Sequence, residues 1–281
     1  MNEDLKILKS KPTIEGAGVR LKRAFGYYEV PLLDPFLLLD DFHSDNPDDY
    51  LAGFPWHPHR GIETVTYMLH GRVKHGDSLK NNGVIKGGDV QWMTAGSGII
   101  HSEMPEKEGN GLLWGFQLWV NLPAVDKMMP PRYQEVTSDT IPEAVLENEV
   151  RAKVICGKAG DVEGPVRDIV VDAEYLDVTV PPDTEFRRPV KNSYTCFAYG
   201  IEGAGEAGNE TKILDPEHLV IFSGADEAKV VTQSESVRFL LISGKPIGEP
   251  VAWRGPIVMN TDGELETAFR EYQSGTFIKG N

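Results

Sequence analysis

The stretch GFPWHPHRGIETV, residues 53–65, sets two histidines either side of one proline in a chain that has seven histidines among 281 residues. Positions i and i+2 of an extended strand project to one face, so His57 and His59 point together. Pro58 donates no ladder hydrogen bond and marks a bulge or a strand end. Further on, AGSGIIHSEMP repeats the spacing with His101 and Glu103. On facing strands of one small barrel, the two pairs bring three imidazoles and one carboxylate to a common point. That donor set suits Fe, Mn, Co, Ni, Cu or Zn and is too rich in nitrogen for Ca or Mg. It leaves coordination positions open for dioxygen and a chelating substrate, whereas a structural zinc site is closed and more often uses cysteine. A zinc deaminase is excluded, because His-x-Glu is not followed by P-C-x-x-C.

The elements that must position these residues are strands. Short apolar runs such as PFLLLDDF, IETVTYML, LLWGFQLWV, RAKVICG, YTCFAYG and VRFLLISG have strand length, β-branched or aromatic content, and turn residues on both flanks. Many such runs at close spacing predict β-sandwiches or barrels. Residues 121–146, with four prolines and no strand pattern, read as the connection between two β domains, and the rhythm then repeats. Two similar barrels in tandem are expected, residues 1–134 with the histidine pairs and 135–281 without them. One helix stands out: TDGELETAFREY has Thr261 and Glu264 at capping-box spacing, then Leu265, Ala268, Phe269 and Tyr272 on one stripe, with Gly275 beyond.

Composition narrows the function. A formal charge of −15 opposes binding to nucleic-acid backbones or anionic lipid. Two cysteines, Cys156 and Cys196, are too few for a disulfide framework or a thiolate metal site and read as buried core residues. No apolar run reaches membrane-spanning length, and MNEDLKILKS lacks the apolar middle of a signal peptide, so a cytoplasmic protein is expected.

The segments DPFLLLDDF (34–42), FPWHPHRGIETVTYMLHG (54–71), GDVQWMTAGSGIIHSEMP (88–105), LWVNLP…KMMPPRYQ and GPIVMNT together resemble the pirin family of two-domain cupins. The resemblance spans most of the chain and is densest from 34 to 134. It implies an all-β fold of two tandem cupin-type β-barrels (double-stranded β-helices) with a short C-terminal α-helix. It also implies a single metal, Fe(II) first, held by His57, His59, His101 and Glu103 in the first barrel, and dioxygenase cleavage of flavonols such as quercetin. The second barrel, with neither His-x-His nor His-x-Glu, is expected to be metal-free. The partners expected are a small aromatic substrate and O2, with Glu103 doubling as the base that takes a substrate hydroxyl proton. The rival reading is a metal-dependent interaction protein, a transcription co-regulator of the kind described among eukaryotic members, in which iron redox state alters a surface presented to a protein partner.

Departures and bystanders complete the reading. The general cupin pattern places a glutamate a few residues after His-x-His, here Glu63, which is expected behind the ligands, and the usual proline near the second motif is Thr94. Arg60 is expected to pair with a carboxylate and orient the ligand region. His70 and His75 read as surface residues of a turn, and His43 and His218 have no partner at useful spacing. Phe54, Trp56, Trp92 and Met93 are either barrel core or the wall of an apolar pocket. Gly203, Gly205 and Gly208 formally match G-x-G-x-x-G, but strands follow rather than a helix, so nucleotide binding is not expected.

Overall fold

Period-two burial shapes the strands. Ile99–Glu106 alternates buried and half-buried positions along its whole length, as a strand with one face in a core must. Phe36–Ser44 and Ile62–His70 are instead buried almost throughout, and they lie inside a sheet. A computed structural model describes residues 5–209, 212–222 and 224–279. Its described residues form two all-β units with interleaved boundaries. One takes residues 12–32, 36–138 and 247–281; the other takes 1–11, 33–35 and 139–246.

In the first unit a seven-stranded antiparallel sheet runs in the order Arg132–Val136, Val90–Thr94, Ile62–His70, Leu113–Asn121, Phe36–Ser44, Val19–Phe25, Lys11–Glu15. A four-stranded sheet runs Phe54–His59, Ile99–Glu106, Arg72–Asp77, Asn82–Lys86. Val73 and Ile85 of the smaller sheet pack in one cluster with Leu21, Phe42, Met68 and Leu113 of the larger, closing the barrel. The second unit repeats the scheme, with a seven-stranded sheet centred on Thr195–Gly203 and Val237–Gly244 and a four-stranded sheet that includes Glu185–Pro189 and Glu227–Val231. Its core is large and aliphatic, and Cys156 and Cys196 are buried thiols. The tandem repetition expected from the rhythm of the sequence is therefore present in the topology.

The compact units group residues 135–138 and 247–281, the latter with the helix, with the first barrel, where the sequence places both in the second. Leu265 and Ala268 of the helix Asp262–Gln273 pack with Ile257, Met259 and Phe277; an apolar stripe in sequence shows that a helix docks but not where. Nor is 121–146 free of strands. Arg132–Val136 is an edge strand on Val90–Thr94, entered directly after Pro130 and Pro131, where missing N–H groups cost no pairing. Among the described residues no helix is long and apolar enough to cross a membrane.

The helix starts as its sequence dictates. Thr261 Oγ1 accepts from the Glu264 N–H at 3.3 Å, and the Glu264 carboxylate accepts from the Thr261 N–H at 2.8 Å. Substituting Thr261→Ala removes one half of this reciprocal cap and is expected to cost ~1 kcal/mol. The check is a urea titration in which the midpoint falls while the slope is unchanged.

Candidate metal centre

Register brings the histidines together. Phe54–His59 is the edge of its sheet and pairs only with Ile99–Glu106, setting His57 opposite His101, Pro58 opposite Ile100 and His59 opposite Ile99. An edge position tolerates Pro58. The pairing slips between His101 and Glu103, a bulge that leaves Glu103 opposite Phe54. Both expectations, a common face for His57 and His59 and an irregularity near the proline, are met in this strand pair.

The three ring donors lie within 4.8 Å of one another. His57 Nε2 is 3.1 Å from His59 Nε2 and 3.0 Å from His101 Nε2. The tautomers follow from the other ring nitrogens. His57 Nδ1 lies 2.8 Å from the Pro55 carbonyl oxygen and His59 Nδ1 lies 3.0 Å from that of Pro256. A carbonyl only accepts, so Nδ1 of His57 and of His59 carries a proton, and their Nε2 atoms turn toward each other and toward His101. Burial, reinforced by the neighbouring histidines, holds the pKa of His59 and of His101 well below the ordinary histidine range. Ring nitrogens gathered this closely repel unless a proton or a cation sits among them, and the donor set fits a divalent transition ion. The outer carbonyls orient the rings as ligating histidines require.

Glu103 stands beside this cluster rather than within it. It is buried, lines the same cavity as His57 and His59, and its Oε1 accepts from Thr66 Oγ1 at 3.2 Å. Burial raises its pKa, opposed by His57 and the Thr66 hydrogen bond. Glu63, the glutamate of the general cupin pattern, is fully buried and accepts from Thr94 Oγ1 at 2.7 Å, the residue found where a proline is usual.

The turn after His59 is stapled from several sides. Arg60, 2% exposed, donates to the Ser97 carbonyl at 2.7 Å, to Glu271 at 2.7 Å and to the Phe277 carbonyl at 2.9 Å, and lies over the Phe277 ring. The expected carboxylate partner is thus Glu271, on the C-terminal helix. Gly61 has φ +77°, and a Cβ there would meet the Val258 carbonyl oxygen at 1.9 Å, so the motif ends in the one residue that fits. The buried Lys127 donates to the Gly61 and Val258 carbonyls and to Asn121 Oδ1. Lys127 escaped the sequence reading because it lies among the prolines of 121–146.

A cavity of about 790 Å³ opens over His57, His59 and Glu103, within the ~300–1,000 Å³ usual for small-molecule sites. Its wall includes Tyr27, Phe54, Trp56, Trp119 and Trp253, with Gln117 and the paired Arg23 and Asp40 as polar members. Burial pushes Asp40 up to about 6 against the pull of its bidentate Arg23. Of the aromatic candidates, Phe54 and Trp56 face this cavity, whereas Trp92 and Met93 are fully buried core. His70 is exposed as expected, but His75 is not: it is buried, 2.9 Å from Glu135, with its ring stacked on Tyr133. The edge strand Arg132–Val136, not foreseen from the sequence, supplies both partners.

Lys127 yields a test with a definite sign. Burial lowers its pKa from the ordinary lysine value to about 8, so between pH 8 and the unfolded-state value the unfolded chain binds more protons than the folded one. Stability from this group therefore rises with pH across that window. The urea midpoint of the wild type, compared with Lys127→Met, is expected to gain between pH 7.5 and pH 10; a difference independent of pH contradicts the assignment.

The Pirin family model matches residues 18–120, and the model described as Pirin C-terminal cupin domain matches 175–278. A pirin-like protein of Caulobacter vibrioides is 47% identical over 274 residues, covering 97% of this chain and 98% of its own. Pirin-1 of Arabidopsis thaliana is 44% identical, covering 96% and 92%. Among solved structures, a quercetin 2,3-dioxygenase from Acinetobacter baumannii superposes with a TM-score of 0.88 at 33% identity, covering 97% of this chain and 96% of that one.

Proposed function

The chain belongs to the pirin family, and from that premise we propose that it is a metal-dependent dioxygenase that cleaves flavonols of the quercetin type at a mononuclear centre. The observation that carries this reading is the meeting of three imidazole donors within 4.8 Å of one another, with His57 Nε2 at 3.0–3.1 Å from the other two, beneath an aromatic cavity. His57, His59 and His101 hold the ion, Fe(II) first among those the donor set admits, and Glu103 stands as its fourth, detachable partner. When bound, the ion supplies Lewis acidity at an enolic hydroxyl and redox access to O2.

The rest is done by the chain itself. Trp56, Trp119 and Trp253 stack against a flat ring system and exclude water from it. The Arg23–Asp40 pair offers a donor and an acceptor to phenolic hydroxyls at the cavity wall. Glu103 takes the substrate's hydroxyl proton: its raised pKa makes it a stronger base than an exposed carboxylate, and the Thr66 hydroxyl steadies it through Oε1. The support is the fold shared with a quercetin 2,3-dioxygenase together with this arrangement of donors.

Oxygen uptake by metal-loaded protein with quercetin tests the reading. His101→Ala is expected to lose the metal and turnover together. Glu103→Gln is expected to keep one ion per chain while turnover falls ~10²–10⁴-fold, the range of a lost general base. A loaded wild-type protein that consumes no oxygen with any of a panel of flavonols and catechols would instead favour redox sensing through a protein partner.

A further inference from the structure

An aromatic file leads from the candidate centre to the surface. The His59 ring meets Trp119 edge-on with centroids 5.1 Å apart; Trp119 lies 5.6 Å from Trp253, Trp253 5.6 Å from Tyr27, and Tyr27 5.7 Å from Tyr28. Trp119 and Trp253 are half-buried, Tyr27 is 60% exposed and Tyr28 93%. Stacking on a flat substrate accounts for the three members that line the cavity, but not for Tyr28, which is outside its lining. A tyrosine so exposed makes little packing contact, yet it continues the contact sequence to solvent.

Indole and phenol are the side chains most easily oxidised by one electron, and ring edges in contact let an electron vacancy step from one to the next. We propose that Trp119, Trp253, Tyr27 and Tyr28 form a one-electron path that returns a metal centre over-oxidised by dioxygen or a peroxide to a lower oxidation state at the cost of a surface phenol. The inference rests on His57, His59 and His101 being metal ligands. For each electron taken up by the centre, its charge falls by one and the vacancy moves outward through Trp119, Trp253 and Tyr27. Tyr28 then loses one electron, its phenolic proton passes to water, and a neutral phenoxyl remains. A thiol-class reductant in solution returns one electron and one proton, restoring the phenol, and two of the resulting thiyl radicals pair as a disulfide. Its use is protection: a centre oxidised with no flavonol present is drained before it attacks its own imidazoles.

The test uses protein loaded with Fe(II), its iron content measured first, and exposed to hydrogen peroxide without flavonol or thiol. Electron paramagnetic resonance of frozen samples and peptide mass mapping are the readouts. The wild type is expected to show a tyrosyl radical and oxidised or cross-linked Tyr27 and Tyr28 with intact histidines, all absent in metal-free protein. Trp253→Phe keeps an aromatic wall but breaks the path, so the tyrosine products are lost and oxidation moves to Trp119 and the histidines; Trp253→Tyr restores the outward pattern. Equal Tyr28 oxidation in wild type and Trp253→Phe, or histidine oxidation already in the wild type, overturns the path. A chain that takes up no iron overturns instead the metal reading beneath it, so the two failures are distinguishable.

Discussion

Convergence of three imidazoles, their donor nitrogens within 4.8 Å of one another, is the constraint around which the first barrel is organised. Left alone, the rings would rotate apart or take up protons. Burial discourages protonation of His59 and His101, and the Pro55 and Pro256 carbonyls hold the His57 and His59 rings in the tautomer that exposes Nε2. The fold thus stores a preorganised seat for a cation, and ion binding relieves an electrostatic cost already built into the folded chain.

Holding that seat requires rigidity beyond the two strands that carry the ligands. Arg60 spends every direction of its guanidinium on fixed partners from Ser97, Glu271 and Phe277. Lys127 does the same with three oxygen acceptors. Both are cations buried with their acceptors, where loss of a partner is far more damaging than at the surface. Around this frame the cavity wall is aromatic, and two of its members, Tyr27 and Trp56, are exposed.

Much of this was legible in the sequence. His-x-His and His-x-Glu expose their geometry because a strand's period of two is rigid, so spacing alone predicts a shared face. The tandem barrels were likewise visible as repeated short runs between turns. Lys127 and His75 were not, since each owes its place to non-local pairing: Lys127 reaches Gly61 and Val258, and His75 is covered by an edge strand hidden behind two prolines. Glu103 is expected on the same point as the imidazoles; the strand pairing slips just before it, a shift no local pattern announces, and it lines the cavity with His57 and His59.

The return of residues 247–281 to the first unit bears on how the protein is made. His59 depends on the Pro256 carbonyl and Arg60 on Glu271 and Phe277, all of which follow the whole second barrel in the chain. The strands that carry the histidines are therefore made first, and the contacts that orient His59 and clamp Arg60 form only after residues 139–246 have followed them.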